Sequence, residues 1–442
     1  MTAIPSKSSI WQHKPRQQLT TQRVTATLDA VIDRVPQPSC AHLTALASSP
    51  GARAAEFLDT GSLAGAVGHD VALVDRASGR CVAFASVLNA EGSEFQKRTR
   101  LSPAVLEQAA FLTRVHLAPD APAGTQAVLL YAALRQARGW GRHTATFLMA
   151  DDDTPTARRY NLLTLSQVPR MDLSGTGAFR AKAQRLDLLL HQAFEEASKA
   201  GQTIEPSYMV YEILDTLHHS LFTPVKEARF FREVDAGTLT REQYVYCLTQ
   251  FHLFVRWTTR LLGRCVGFSP TTALRTHFIQ HLKGEVNHEI IIEKDLAHLG
   301  EDPGYAMHLA QPNLPTREFM CAQESAIGFY QDALLLLTAP LAAEGVTGHL
   351  APGFVEKLNA CVASWGIKDP AKATNFLSSH IEFDGGDDGH WQGSLDLLAE
   401  HLTSEQLLRR YLSLLRVSAE GTLRQWDSYV GDVELLSARP QG

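Results

Sequence analysis

The residues best suited to chemistry lie in the stretch His277–Leu296. His277, His281, Glu285 and His288 recur there at spacings of three and four. Those intervals bring side chains onto one face of a helix, so Glu285 and His288 can address a common site. A carboxylate and an imidazole three apart form the donor pair with which helical-bundle carboxylate proteins hold iron or manganese. Oxygen and imidazole nitrogen, with no thiolate offered, suit those metals. A second stretch, Asn375–Trp391, presents His380 and Asp384 four apart. Two helices that each supply a carboxylate and a histidine begin a multidentate site. The alternative is a pair of solvated, charge-rich helix faces on a metal-free bundle that binds a small ligand or acts as a scaffold.

The remaining chain must position these residues. Its 442 residues suggest about two or three domains. A hydrophobic content of 45% and a charged content of 20% are those of a soluble globular protein. The formal net charge of −6 implies no polyanionic partner, so nucleic acid is not expected. Cys40, Cys81, Cys247, Cys265, Cys321 and Cys361 are scattered, with no Cys-x-x-Cys pair. They read as reduced interior residues of a cytoplasmic protein, not a disulfide framework or a zinc site. The polar N-terminal segment lacks the apolar core of a signal peptide. No apolar run is long enough to span a bilayer, so no membrane association is expected.

Along the chain, Arg23–Val35 has apolar residues at helical spacing. Val71–Arg76 and Arg80–Leu88 flank Ala77-Ser78-Gly79 as a hairpin. A helix over Ser102–Gln108 and a strand over Phe111–Leu117 follow, then a loop rich in Pro, Ala and Gly. A helix is expected over Thr125–Gly139, a strand over Thr144–Met149, and helices over Pro155–Leu163 and Ala178–Ala200. Strands alternating with helices make an α/β unit. From Tyr208 onward only helical patterns appear, including one unbroken helix over Thr271–Leu299. The architecture expected is two domains: an α/β domain over residues 1–203 and an all-α bundle over 204–442.

The order of elements in the first domain resembles the GNAT acyltransferase fold, nearest the branch of autoinducer synthases and N-acyl amino acid synthases. The strand Phe111–Pro119, the loop and helix after it, and the segment Ala157–Asn161 carry the likeness. In such a fold the loop before the helix receives the phosphates of acyl-CoA, or the phosphopantetheine of an acyl carrier protein, on backbone N–H groups. The resemblance therefore implies Gly124 and Thr125 as cofactor-binding residues and Arg114 as a catalytic residue. It implies Tyr160 as general acid toward the leaving thiolate. Ala121 and Gln126 stand where the family has Gln or Arg and a second glycine.

The second domain is similar to the heme-oxygenase-like diiron oxidases. The likeness rests on Asp235–Tyr244, on Glu285-Val286-Asn287-His288-Glu289 with Leu299-Gly300 after it, and on His380-Ile381-Glu382-Phe383-Asp384. The resemblance implies two non-haem irons, with manganese as the alternative, and O2 as co-substrate. It implies Glu285, His288, His380 and Asp384 as ligands, with Glu344 as an intermediate carboxylate. The family's carboxylate from an earlier helix falls on His252, and its last histidine on Asp387, with His390 nearby. Unbroken helical geometry favours Asp387, whereas the glycines at 385, 386 and 389 favour a bulged turn that delivers His390. His277 and His281 read as surface or second-layer residues.

Together the resemblances imply a bifunctional biosynthetic enzyme. An amino acid, tyrosine being one candidate, is N-acylated from an acyl thioester, and the N-acyl amino acid is then oxidised with O2, with cyclisation to an oxazolone as one outcome. An electron donor is required, and a homodimer is compatible with the pattern. The alternative is an oxidase that decarboxylates, cleaves or N-oxygenates an amino acid beside a non-catalytic acyltransferase-like domain.

Overall fold

The computed structural model describes residues 21–35, 53–54, 67–89, 107–149, 155–164, 171–172, 178–385 and 390–430. The chain packs as two compact units. One comprises the described residues up to 212 together with 402–409, and the other 213–401 together with 410–430.

The first unit is built on a mixed sheet. Its strands are β1 (Thr21–Arg23), β2 (Leu28–Val35), β3 (Arg53–Ala54), β4 (Val67–Asp75), β5 (Cys81–Asn89), β6 (Ala109–Leu117), β7 (Thr144–Met149), β8 (Leu163–Thr164), β9 (Met171–Asp172) and β10 (Ala178–Arg185). The main order is β1-β2-β4-β5-β6-β7-β10-β8. The expected hairpin is β4–β5, closed by a turn with Gly79 at φ 68°. β6 and β7 run parallel, joined through helix α1 (Thr125–Gly139), because parallel neighbours need a crossover. Their pairing covers only Ala109–Leu112 of β6. Beyond it β6 meets β3 at His116 and Leu117.

Two expected helices are strands. Arg23–Val35 is the last residue of β1, a turn and β2, in which Leu28 and Ala30 alternate into the core. The first half of Ala178–Ala200 is β10, paired antiparallel with β7 along Arg180–Arg185. Sheet pairing overrides the apolar spacing of that segment, and only Leu186–Lys199 is helical. The helix after β7 is α2 (Pro155–Arg159), so Leu186–Lys199 is α3. The helix expected over Ser102–Gln108 lies almost wholly outside the described residues.

Helix α1 is buried nearly throughout and carries Arg138 into the interior of this unit. Arg138 is 3% exposed, and both facing acids, Glu212 and Glu405, are as deeply buried. Its Nη2 donates to Glu212 Oε2 at 2.7 Å and to Glu405 Oε2 at 3.2 Å. Its Nε and Nη1 also meet Glu212 and Glu405 respectively. Tyr131 Oη donates to Glu405 Oε2 at 2.9 Å.

The second unit is helical. Its elements include α4 (Pro206–Leu217, which begins in the first unit), α5 (Arg229–Ala236), α6 (Arg241–Phe268), α7 (Thr272–Glu285), α8 (His288–His298), α9 (Leu314–Glu324), α10 (Ala333–Leu336), α11 (Thr338–Thr347), α12 (Pro352–Ser364), α13 (Pro370–Ala373), α14 (Asn375–Gly385), α15 (His390–His401) and α16 (Glu405–Ser428, whose first turn belongs to the first unit). The long central helix α6 starts at a reciprocal cap: Thr240 accepts from the Gln243 backbone, and the Gln243 side chain accepts from the Thr240 backbone. Phe251 on α6 sits 5.2 Å, ring to ring, from each of Phe376, Trp426 and Tyr429, which ties α14 and α16 to α6 through the core.

The unbroken helix expected over Thr271–Leu299 is divided. Asn287 takes φ 73°, the left-handed region that Asn tolerates better than most residues. Glu285 thus closes α7 and His288 opens α8. Among the described residues no helix is long and apolar enough to cross a membrane. Cys81, Cys247, Cys265 and Cys361 are buried, Cys321 is exposed, and none of these five is in a disulfide.

Candidate metal centre

Five helices of the second unit deliver ionisable groups to one place. Thr271 caps α7 by accepting from Leu274 N at 3.2 Å. Four and zero residues from the end of α7 stand His281 and Glu285, both buried. The Asn287 turn then swings His288 back, so that its Nδ1 lies 3.1 Å from Glu285 Oε2. Helix α11 brings Glu344, whose Oε1 is 3.0 Å from His281 Nε2. Helix α15 begins with His390, and its ring lies 4.6 Å from that of His281. One ligand atom from each of His281, Glu285, Glu344 and His390 fits within 4.8 Å of the others.

A second cluster adjoins the first and shares Glu285. Helix α14 supplies His380, whose ring lies 4.9 Å from that of His288. His380 Nδ1 faces the Phe376 carbonyl at 2.7 Å. Donation there leaves Nε2 available to ligate a metal. Asp384, one turn further on, is buried, and its Oδ2 accepts from Thr347 Oγ1 at 2.6 Å.

The donor set fits a pair of iron or manganese ions. His281 Nδ1 and Nε2, His288 Nδ1 and Glu344 Oε2 are buried without a hydrogen-bond partner, an arrangement that protein interiors otherwise avoid. The short nitrogen–oxygen approaches are therefore convergences of position, with the hydrogen-bond angles unmet. Buried acids surround the same point. Burial pulls the His281 imidazole down, but the facing Glu344 and Glu285 more than offset it and hold it at about 10. Burial raises the Glu285 carboxyl, yet His281 and His288 overcome this and keep it well below the usual range. Burial, and then the charge of Glu344, push Asp384 well above it. The pattern calls for positive charge, which divalent ions would supply in place of protons.

Above these groups opens a cavity of about 90 Å³. Its wall is largely apolar, with Phe251, Phe254, Val255, Leu262, Leu336 and Phe376 among the lining residues, while His281, Glu285, Glu344, His380 and Asp384 line its polar end. Phe376 serves twice here, since its ring also packs 4.3 Å from that of His380.

The start of α14 is fixed from below. Asp295 on α8 is wholly buried and accepts from Phe376 N at 2.8 Å. Burial raises its carboxyl to about 7. An acid whose pKa is higher folded than unfolded contributes most at low pH, and that contribution is lost as pH rises through the folded value. Asp295→Asn keeps an acceptor but cannot ionise. In urea titrations it is expected to lack the fall in stability that the parent shows between about pH 5 and about pH 8. Asp295→Ala leaves the Phe376 N–H buried and unpaired, an expected cost of about 1–3 kcal/mol. Identical pH slopes for parent and Asp295→Asn would refute the assignment.

The structure thus gathers Glu285, His288, Glu344, His380, Asp384 and His390. It sets His252 elsewhere, with its Nε2 3.0 Å from Glu293 Oε1. Asp387 lies outside the described residues. His281 was missed as a central group, although His281-x-x-x-Glu285 has the helical spacing that signals it. His277 stands behind it, its ring 5.8 Å from that of His281, and burial draws its pKa down to about 4.

In the first unit, Gly124 takes φ 83° at the start of α1, and a Cβ there would meet Ala200 Cβ at 2.7 Å. Glycine is needed for both reasons. Thr125 Oγ1 donates to the Pro122 carbonyl at 2.7 Å. Tyr160 is buried, and its hydroxyl donates to Glu196 Oε2 at 3.0 Å. Burial raises its pKa, and the Glu196 charge adds to this. Arg114 lies on β6, and its side chain is outside the described set.

No family model matches the chain, and no curated protein matches it. Solved structures do. A domain of unknown function with a heme oxygenase-like fold from Shewanella denitrificans is 16% identical, with a TM-score of 0.44 over 52% of this chain and 95% of its own. A TenA homologue from Pseudomonas syringae pv. tomato is 13% identical, with a TM-score of 0.39 over 48% of this chain and 90% of its own. A TenA family transcription regulator from Silicibacter sp. TM1040 is 16% identical, with a TM-score of 0.39 over 50% of this chain and 96% of its own.

Proposed function

We propose that the helical unit is a non-haem diiron oxidase, with manganese as the alternative metal, and that it oxidises an N-acyl amino acid with O2. The observation that carries this reading is the convergence of His281, Glu285, Glu344 and His390 within 4.8 Å, adjoined through Glu285 by His288 and His380. Bound iron would supply O2 activation and one-electron chemistry. The chain's own residues do the rest. Glu285 lies between the two clusters and suits a bridging carboxylate. His380 is held in one tautomer by Phe376, and Asp384 is oriented by Thr347. The apolar wall excludes water and receives an apolar part of the substrate.

The reading extends to the first unit as a GNAT-like N-acyltransferase that makes the oxidase's substrate from an amino acid and an acyl thioester. The short parallel pairing of β6 and β7, with α1 crossing between them, supports it. Fusion would raise the local concentration of the intermediate. A second reading keeps the oxidase beside a non-catalytic first unit. It is favoured by Gly124, where the space for a Cβ is filled by Ala200, and by Tyr160, whose hydroxyl is engaged by Glu196.

The test is metal analysis of the purified full chain, followed by mass spectrometry after incubation with ferrous iron, O2, reductant, acyl-CoA and amino acids. The expected result is bound iron and an oxidised N-acyl product. A protein free of iron and manganese that turns over nothing would end the proposal. An oxidised product from supplied N-acyl amino acid, with none from acyl-CoA plus amino acid, would select the second reading.

A further inference from the structure

Gln323 lies on α9 at the wall of the cavity. It is 7% exposed, and its Oε1 is buried without a hydrogen-bond donor. The other neutral polar residues of the wall are engaged: Thr258 Oγ1 donates to the Phe254 carbonyl at 3.4 Å, and Thr347 binds Asp384. A buried amide carbonyl left without a donor costs free energy that a ligand's N–H or O–H can recover. The helix that holds Gln323 gives way two residues later to a wide turn, Ser325–Phe329. Wide turns of this kind are found disproportionately at functional sites.

Among the described residues no Lys or Arg lines the cavity, and its charged groups are the acids and imidazoles of the candidate centre. The apolar wall suits a hydrocarbon chain. A primary amide side chain complements a secondary amide, accepting from its N–H and donating to its C=O. We infer that Gln323 recognises the amide of an N-acyl substrate, setting the acyl chain along the apolar wall and the amino acid part toward the metal-binding residues. This rests on the oxidase reading above and adds the group that selects an amide over other acyl compounds.

The test compares N-octanoylglycine with octanoyl glycolate, in which an ester oxygen replaces the amide N–H. Binding to the purified full chain is measured by calorimetry without O2, and iron content is measured on the same samples. The parent is expected to prefer the amide by about tenfold, the worth of one good hydrogen bond in a closed site. Gln323→Met is expected to bind both compounds alike with unchanged iron content. Gln323→Asn, which withdraws the amide by one methylene, is expected to lose most of the preference and guards against misfolding of the first variant. A parent that does not distinguish amide from ester, or a folded Gln323→Met that still does, overturns the inference. Loss of the oxidase reading shows separately, as absent iron, and amide selection can still be scored on that protein.

Discussion

Replacing Glu285 by glutamine is expected to strip the helical unit of metal. Glu285 is buried between the two histidine clusters, facing His288 at 3.1 Å and His281 at 3.7 Å. Glutamine preserves the shape but carries no charge and offers one oxygen in place of two. Outer partners of metal ligands already contribute 10- to 100-fold in affinity, so loss of a shared carboxylate is expected to weaken binding by at least about 100-fold. The measurement is iron per chain in desalted protein. His252→Asn is the informative companion. The family pattern points to His252 as a ligand, but in the structure it pairs with Glu293, so this variant is expected to keep its metal. Full iron in Glu285→Gln would refute the proposed centre, and loss of iron in His252→Asn would mean that the ligand set reaches further than the two clusters.

The second large effect concerns the first unit. Arg138→Met removes the cation that Glu212 and Glu405 both contact in the interior. Removing one member of a buried ion cluster strands the remaining charges, an expected cost of about 3–5 kcal/mol in the unfolding of the first unit. The sign of the pH dependence follows. Burial already raises Glu212, and the Arg138 charge opposes this. Without Arg138 the Glu212 carboxyl rises further, so the folded variant holds a proton that the unfolded chain releases. Its stability therefore falls as pH climbs above the ordinary carboxylate range. Urea melts should show a deficit that is larger at about pH 8 than at about pH 5. A deficit independent of pH would mean that lost packing, not stranded charge, explains the change.

How much of this was legible in the sequence depended on how local each signal is. The turn at Gly79 could be read directly, because it depends on a few adjacent residues. Glu285, His288, His380 and Asp384 stand out by residue type and helical spacing, whereas Glu344 and His390 enter only through the family resemblance. The break at Asn287 was hidden, because Asn adopts the left-handed conformation without the glycine that usually marks it. Yet His288 Nδ1 lies 3.1 Å from Glu285 Oε2 across the break, although the helix beneath the two residues is divided. Arg23–Val35 and the start of Ala178–Ala200 were misread because their pairing partners lie far along the chain: β2 pairs with β4, and β10 with β7. His281 was set aside because its environment is made by Glu344 and His390, 63 and 109 residues away.

Arg138 also bears on how such a chain can be inherited. Its two counter-ions arrive from beyond residue 203, one near the start of the helical half and one almost 200 residues later. A recombination event that joined the first 203 residues to a different neighbour would deliver a cationic side chain to a dry interior without the two carboxylates that face it here. Lineages carrying this arginine are therefore expected to retain both acids with it, so the two halves diverge together instead of being traded as interchangeable modules.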